Sequence, residues 1–264
     1  KYMVHEFPYR SLTVSYMYDD MSPVDKFSGT GKNNVFSSFS TGKVDQMMYV
    51  NDFTTTFRYE TKNYMTWTVS LDHAKFTPAG KLIYQRNSDG AVLPNMKTTD
   101  VKIGLRYAPR EKFILTKQQR LRINRDALET TLEHTIGFDG FLGGQYRYNT
   151  TEATIFKKFW LPGACGYVEA YLRGGIQWNK VPFPMLFVPS SNMSYFIQFD
   201  RWSFNLLRNM EFLNDRYVTL TLNWNLDGKL FNRIPLLKKL KWREYIAINT
   251  LWGSLSDKNN PFLP

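Results

Sequence analysis

In the stretch YVTLTLNWNL every second residue is apolar over ten positions. Val218, Leu220, Leu222, Trp224 and Leu226 point one way, and Tyr217, Thr219, Thr221, Asn223 and Asn225 the other. A period of two places alternate side chains on opposite faces of a strand, and no helix satisfies it. The same alternation recurs through most of the chain, so the fold class it dictates is all-β.

In DVKIGLRY, Val101, Ile103, Leu105 and Tyr107 oppose Asp100, Lys102, Gly104 and Arg106. MTWTVSLD, LTVSYMY, LETTLEHTIGFD, YVEAYLRGGIQW, SYFIQFD and REYIAINTLWG read the same way. About twelve such segments, each roughly ten residues long, match the 9 to 11 residues with which a tilted strand crosses a bilayer. Strands of soluble domains are usually about half as long. Aromatic residues gather at the segment ends, as at Trp67, Tyr107, Trp178, Trp224 and Trp252. The successive apolar faces would form one continuous band. The expectation is an antiparallel transmembrane β-barrel, about twelve strands of which are visible. A soluble β-sandwich or lipocalin-like binder is the rival that alternation alone does not exclude. No run of 18 apolar residues exists, and the mean hydropathy is −0.40. A barrel keeps its mean hydropathy low because lumenal residues alternate with lipid-facing ones.

Turn-like links such as Phe138–Gly144 alternate with long polar ones such as Pro78–Thr98 and Asn179–Met193. No linker or composition shift divides the chain, which reads as one domain over residues 1–264. It starts at Lys1 without a Met and reads as a processed chain or a piece of a longer one. Between two of its strand segments lies KLFNRIPLLKKLKW, a short basic amphipathic connection. Pro235 favours a helix that starts near Ile234, since proline fits the first helical position. Its leucines would meet lipid, and Arg233, Lys238, Lys239, Lys241 and Trp242 would meet headgroups.

Enzyme chemistry finds no foothold. Nucleophile elbows, metal-binding helical pairs and phosphate loops are absent, and the three histidines are far apart in sequence. No catalytic residue, metal or cofactor is expected. Cys165, the single cysteine, reads as a buried or lipid-facing small residue. The two glycines of LRGGIQW read as strand glycines allowing curvature or close packing. The formal net charge is +11, but the cations are dispersed, which disfavours nucleic acid and fits lipopolysaccharide or phospholipid headgroups. Arg106, Arg120, Arg122, Arg147 and Arg173, with Glu129, Glu133 and Glu169, are expected on the polar face as a lumenal charge network.

Five longer motifs carry a resemblance: RYAPRE (Arg106–Glu111), KVPFPMLFVPSSNMSY (Lys180–Tyr195), NMEFLNDRYV (Asn209–Val218), FNRIPLLKKLKWRE (Phe231–Glu244) and WGSLSDKNNP (Trp252–Pro261). With them the chain, from about Leu12 onward, resembles a Bacteroidetes outer-membrane family. The resemblance implies an N-terminal carboxypeptidase-regulatory-like β-sandwich followed by a barrel similar to the surface-antigen or assembly-factor superfamily. That superfamily carries an Arg-Gly pair in a loop folded into the lumen; the pair present here, Arg173-Gly174, falls in a strand-like segment. The resemblance also implies further strands on both sides, so that the domain is incomplete at both ends and part of a barrel approaching sixteen strands. The expected function is a non-enzymatic barrel of the bacterial outer membrane, a subunit or accessory in envelope biogenesis working with other envelope proteins. The alternative is a passive pore or receptor with a charged lumen, which blockage of that lumen by long loops would oppose.

Overall fold

The alternating segments become strands of one sheet. A computed structural model describes residues 2–5, 9–21, 46–86, 90–115, 120–124, 126–163, 165–189, 204, 206–207 and 210–259. Its long strands are β2 (Arg10–Met21), β3 (Gln46–Glu60), β4 (Met65–Gly80), β7 (Met96–Tyr107), β10 (Glu129–Asp139), β11 (Gln145–Trp160), β12 (Tyr167–Gln177), β13 (Arg216–Asn225) and β14 (Tyr245–Ser254). A short β1 (Tyr2–His5) precedes them. All ten pair antiparallel in the order β1-β2-β3-β4-β7-β10-β11-β12-β13-β14, each long strand beside its chain neighbour.

The described strands thus number nine long ones instead of about twelve. The residual segments form two small ribbons, β5 (Tyr84–Gln85) with β6 (Val92–Leu93) and β8 (Phe113–Leu115) with β9 (Arg120–Arg122). SYFIQFD lies outside the described residues. Among the described residues no ladder joins β1 to β14, so the sheet is open there. No described helix is long and apolar enough to cross a membrane, which says nothing of strands.

The two faces divide as the alternation requires, with an inverted polarity. The outer face carries Val14, Ile103, Leu132, Ile155, Leu172, Leu220 and Ile248, all between 37% and 54% exposed. Toward one end of this aliphatic band stand Trp67, Tyr107 and Phe159; toward the other, Tyr18, Tyr49, Phe138, Trp178 and Trp252, all exposed. The inner face carries the polar set, and residues from β2 round to β12 line one cavity.

The strands also have two ends. At one, β13 and β14 are joined by α1 (Pro235–Leu240), the expected connection, with Pro235 at its first position and Ile234 as its cap. Glu244 fastens it by accepting the Leu230 and Phe231 N–H groups at 2.7 and 2.6 Å. This helix end also holds the turns 61–64 and 161–166 and the β7–β10 connection. Cys165 stands in one of those turns, partly buried and not fully so. The Lys229 ammonium donates to its sulfur at 2.6 Å.

At the opposite end, residues 181–188 turn back into the sheet's interior. Val181, Met185, Leu186, Phe187 and Val188 are 0–7% exposed. Val181, Met185 and Leu186 share the core cluster with Met48, Val50, Phe76, Met96 and Tyr148, and Phe187 packs on Tyr217. The principal core therefore sits inside one end of the curved sheet and plugs it.

Candidate functional site: a plugged polar chamber

Register aligns inner-face residues into rows. Across β11, β10 and β7, Tyr148, Gly137 and Asp100 are consecutive partners. A side chain at Gly137 would run into the Tyr148 ring. The ring crosses the glycine instead, and its hydroxyl donates to Asp100 Oδ2 at 2.6 Å. The arrangement repeats across β13, β12 and β11: Tyr217 crosses Gly175 and donates to Glu152 Oε2 at 3.0 Å. A Cβ on Gly175 would stand 2.9 Å from the Phe187 ring, which packs on Tyr217 with centroids 4.7 Å apart. The strand glycine thus allows the close packing expected of LRGGIQW. Arg173 closes the group with its Nη2 2.7 Å from Glu152 Oε2. Arg173-Gly174 lies within β12; the segment that folds inward is 181–188.

At the helix end Arg106 and Arg122 alternate with Glu111 and Glu129. Arg106 meets Glu111 at 2.7 Å and Glu129 at 2.8 Å. Arg122 meets the same two carboxylates at 2.9 and 2.6 Å. Each guanidinium is shared between two carboxylates, and Arg106 grips Glu111 with two parallel hydrogen bonds.

Between this ring and the plug lies a cavity of about 660 Å³. Asp52, Asp72, Asp100, Glu133 and Glu152 line it against only Lys102 and Arg173, with threonines between and Met185 and Phe187 of the plug against it. A chain of net charge +11 therefore encloses a chamber whose lining is acidic.

The base of the plug is latched. Asp215, fully buried just before β13, accepts from the Ser256 backbone at 3.2 Å, the Ser256 hydroxyl and the Asn259 amide at 3.1 Å. Asn259 in turn accepts the Val181 N–H at 2.9 Å. Lys258 donates to the Trp178 carbonyl at 2.8 Å. Burial alone would raise the Asp215 pKa; hydrogen bonds from Ser256 and Asn259 and the charge of Lys258 bring it below the usual carboxylate range.

Of the residues expected in a charge network, Arg106, Arg122 and Glu129 come together, and Arg173 joins a separate group. Glu133 lines the chamber, and Glu169 stands on the inner side of β12 opposite Asn223. Arg147 departs from the expectation. It alternates with Tyr146 and Tyr148, whose rings point inward, and is itself exposed on the outer side. The side chain of Arg120 lies outside the described residues. Sequence reasoning passed over Glu111, Glu152 and Asp100 as partners, although the alternation already put Asp100 on the polar face. On the connection, Arg233, Lys238, Lys239 and Lys241 are exposed, and Trp242 is 55% exposed. His73 and His134 each pair with a threonine of the neighbouring strand, Thr99 and Thr151. Among the described residues no three His, Cys, Asp or Glu side chains gather as a metal site.

The fold and its chamber define a class: an all-β antiparallel sheet with an apolar outer face and a charged interior. Residues 32–260 match the C-terminal domain of a protein family of unknown function, DUF5686, and the chain belongs to that family. No curated protein matches it.

Proposed function

We propose that this chain is the lipid-facing wall of a transmembrane β-barrel in a bacterial outer membrane. In this reading it is non-enzymatic and serves as a subunit or accessory of an envelope-biogenesis complex for protein insertion or export. The protein would be of the Bacteroidetes type, with a carboxypeptidase-regulatory-like β-sandwich ahead of the barrel.

The single observation that carries the reading is the inverted polarity. Water-soluble monomers rarely expose contiguous apolar patches beyond about 300–600 Å². Here the apolar outer face runs across the whole sheet, while ion pairs and carboxylates fill the interior. Aromatic residues flank the aliphatic band at both ends, as interfacial girdles do. Strands of 10–16 residues are long enough to span when tilted. An open sheet edge is not tolerated in hydrocarbon, so β1 and β14 require strand partners there.

The plug weighs against a passive pore, because Leu186 and Phe187 occupy the interior where solute would pass. That favours a protein-handling or scaffolding role over conduction.

The test is isolation of the tagged full-length protein from its native host in mild detergent, with identification of what accompanies it. Co-isolation with envelope assembly or export machinery is expected. Recovery as a lone, heat-modifiable barrel would overturn the complex but keep the barrel. Recovery from the soluble fraction would overturn both.

A further inference from the structure

The two ends of the sheet differ in charge. Among the described residues, connections at the helix end carry eleven Lys and Arg against four Asp and Glu. Those at the plug end carry four against three. Much of the excess is on the β13–β14 connection, where Arg233, Lys238, Lys239 and Lys241 are exposed and form no ion pair among the described residues.

The same connection exposes large apolar side chains: Leu236 is 70% exposed and Trp242 55%. No residue of α1 is buried. A six-residue helix with no buried residue has little tertiary reason to hold lysines and leucines side by side. A membrane interface supplies one, since apolar side chains enter the acyl boundary while ammonium groups meet phosphates. The connection also leads directly into β14, whose outer face (Ile246, Ile248, Trp252) is exposed and apolar.

We infer that the helix end is a docking surface for the phosphate headgroups of an anionic phospholipid leaflet, with Arg233, Lys238, Lys239 and Lys241 as its contacts. This rests on the membrane-spanning reading and goes beyond it by fixing which end faces the more anionic phospholipid. The chamber between the ends is acidic and repels phosphate, which confines the attraction to the rim.

The test uses the full-length protein in mild detergent, exchanged with an equimolar mixture of phosphatidylglycerol and phosphatidylcholine of identical acyl chains. Native mass spectrometry then counts the lipids retained. Preferential retention of phosphatidylglycerol is expected. Each Lys→Gln change among Lys238, Lys239 and Lys241 should lower that preference by about fivefold, and 0.5 M salt should erase most of it. These side chains are exposed, so the variants should keep the wild-type heat-modifiable migration. Lys81→Gln at the plug end should leave the preference unchanged. Equal retention of both lipids, or an equal loss in Lys81→Gln, would overturn the inference while leaving the barrel in place. A protein that stays soluble without detergent and retains neither lipid would overturn the barrel and the inference together.

Discussion

Gly137 and Gly175 do what no other residue could at their positions. Each lies beneath a tyrosine that bridges from one neighbouring strand to a carboxylate on the other. Gly137→Ala should cost about 1–3 kcal/mol, because the Tyr148 ring must leave its place. Tyr148→Phe keeps the ring and removes the hydroxyl's hydrogen bond to the buried Asp100 carboxylate, and should cost about 1–3 kcal/mol. Both should lower the temperature at which the folded band disappears in heat-modifiability gels, and an unshifted Gly137→Ala would refute the packing described. Asp215 gives a test by pH. Its folded pKa lies below its unfolded one, so its stabilisation is full above about pH 4 and is lost as pH falls through the folded value. Asp215→Asn should therefore be less stable than wild type at pH 7, with the gap closing below pH ~4. A gap that persists undiminished in acid would remove Asp215 as the latch.

At the scale of elements, the plug has a clear expectation. Leu186 and Phe187 are almost wholly buried against inner-face residues. Replacing both with Ala should leave the sheet intact but loosen its interior, raising single-channel conductance in planar bilayers above a near-zero wild-type level. High conductance in the wild type would revive the pore. The elements also show how far the sequence could be read. Strands β2, β4, β7, β10, β12, β13 and β14 were visible because large apolar residues recur at every second position along much of one face. Strand β11 was harder, since its outer face runs Gln145, Arg147, Asn149, Thr151 before reaching Ile155. The same polar stretch explains the misplacement of Arg147, whose charge suggested the interior while its parity dictates the outside. The ionic ring was half legible: Arg106, Arg122 and Glu129 stood out by charge, but Glu111 follows β7 in a connection where no periodicity applies. The plug was hidden for a related reason. VPFPMLFV is apolar without a period, so its burial depends on long-range packing that a local pattern does not encode.

For the molecule as a whole, the consequential feature is the sorting of side chains. Aliphatic residues face outward, carboxylates and hydrogen-bonded tyrosines line the interior, and among the described residues cations concentrate at one rim. Several of the longer sequence motifs meet in this arrangement. RYAPRE supplies Arg106 and Glu111 of the ionic ring, and Asp215, Ser256, Asn259 and Val181 join three other motifs at the plug's base. In this account a charge on the outer face is far more damaging than a change in the chamber. Leu132→Arg, near the middle of the aliphatic band, should cost about 2–4 kcal/mol in a bilayer. Glu133→Gln, its neighbour on the inner face, should cost far less, as measured by reversible unfolding in vesicles.

The most direct test of the central claim labels those two adjacent positions. Leu132→Cys and Glu133→Cys, each in a Cys165→Ser background, would carry a nitroxide in protein reconstituted into phospholipid vesicles. Collisions with oxygen, which concentrates in hydrocarbon, and with a water-soluble nickel chelate would then be compared. The account predicts high oxygen and low nickel accessibility at position 132, with oxygen accessibility falling sharply at 133. High nickel accessibility at 132 would mean that the apolar face meets water, and would contradict the membrane-spanning reading at its root.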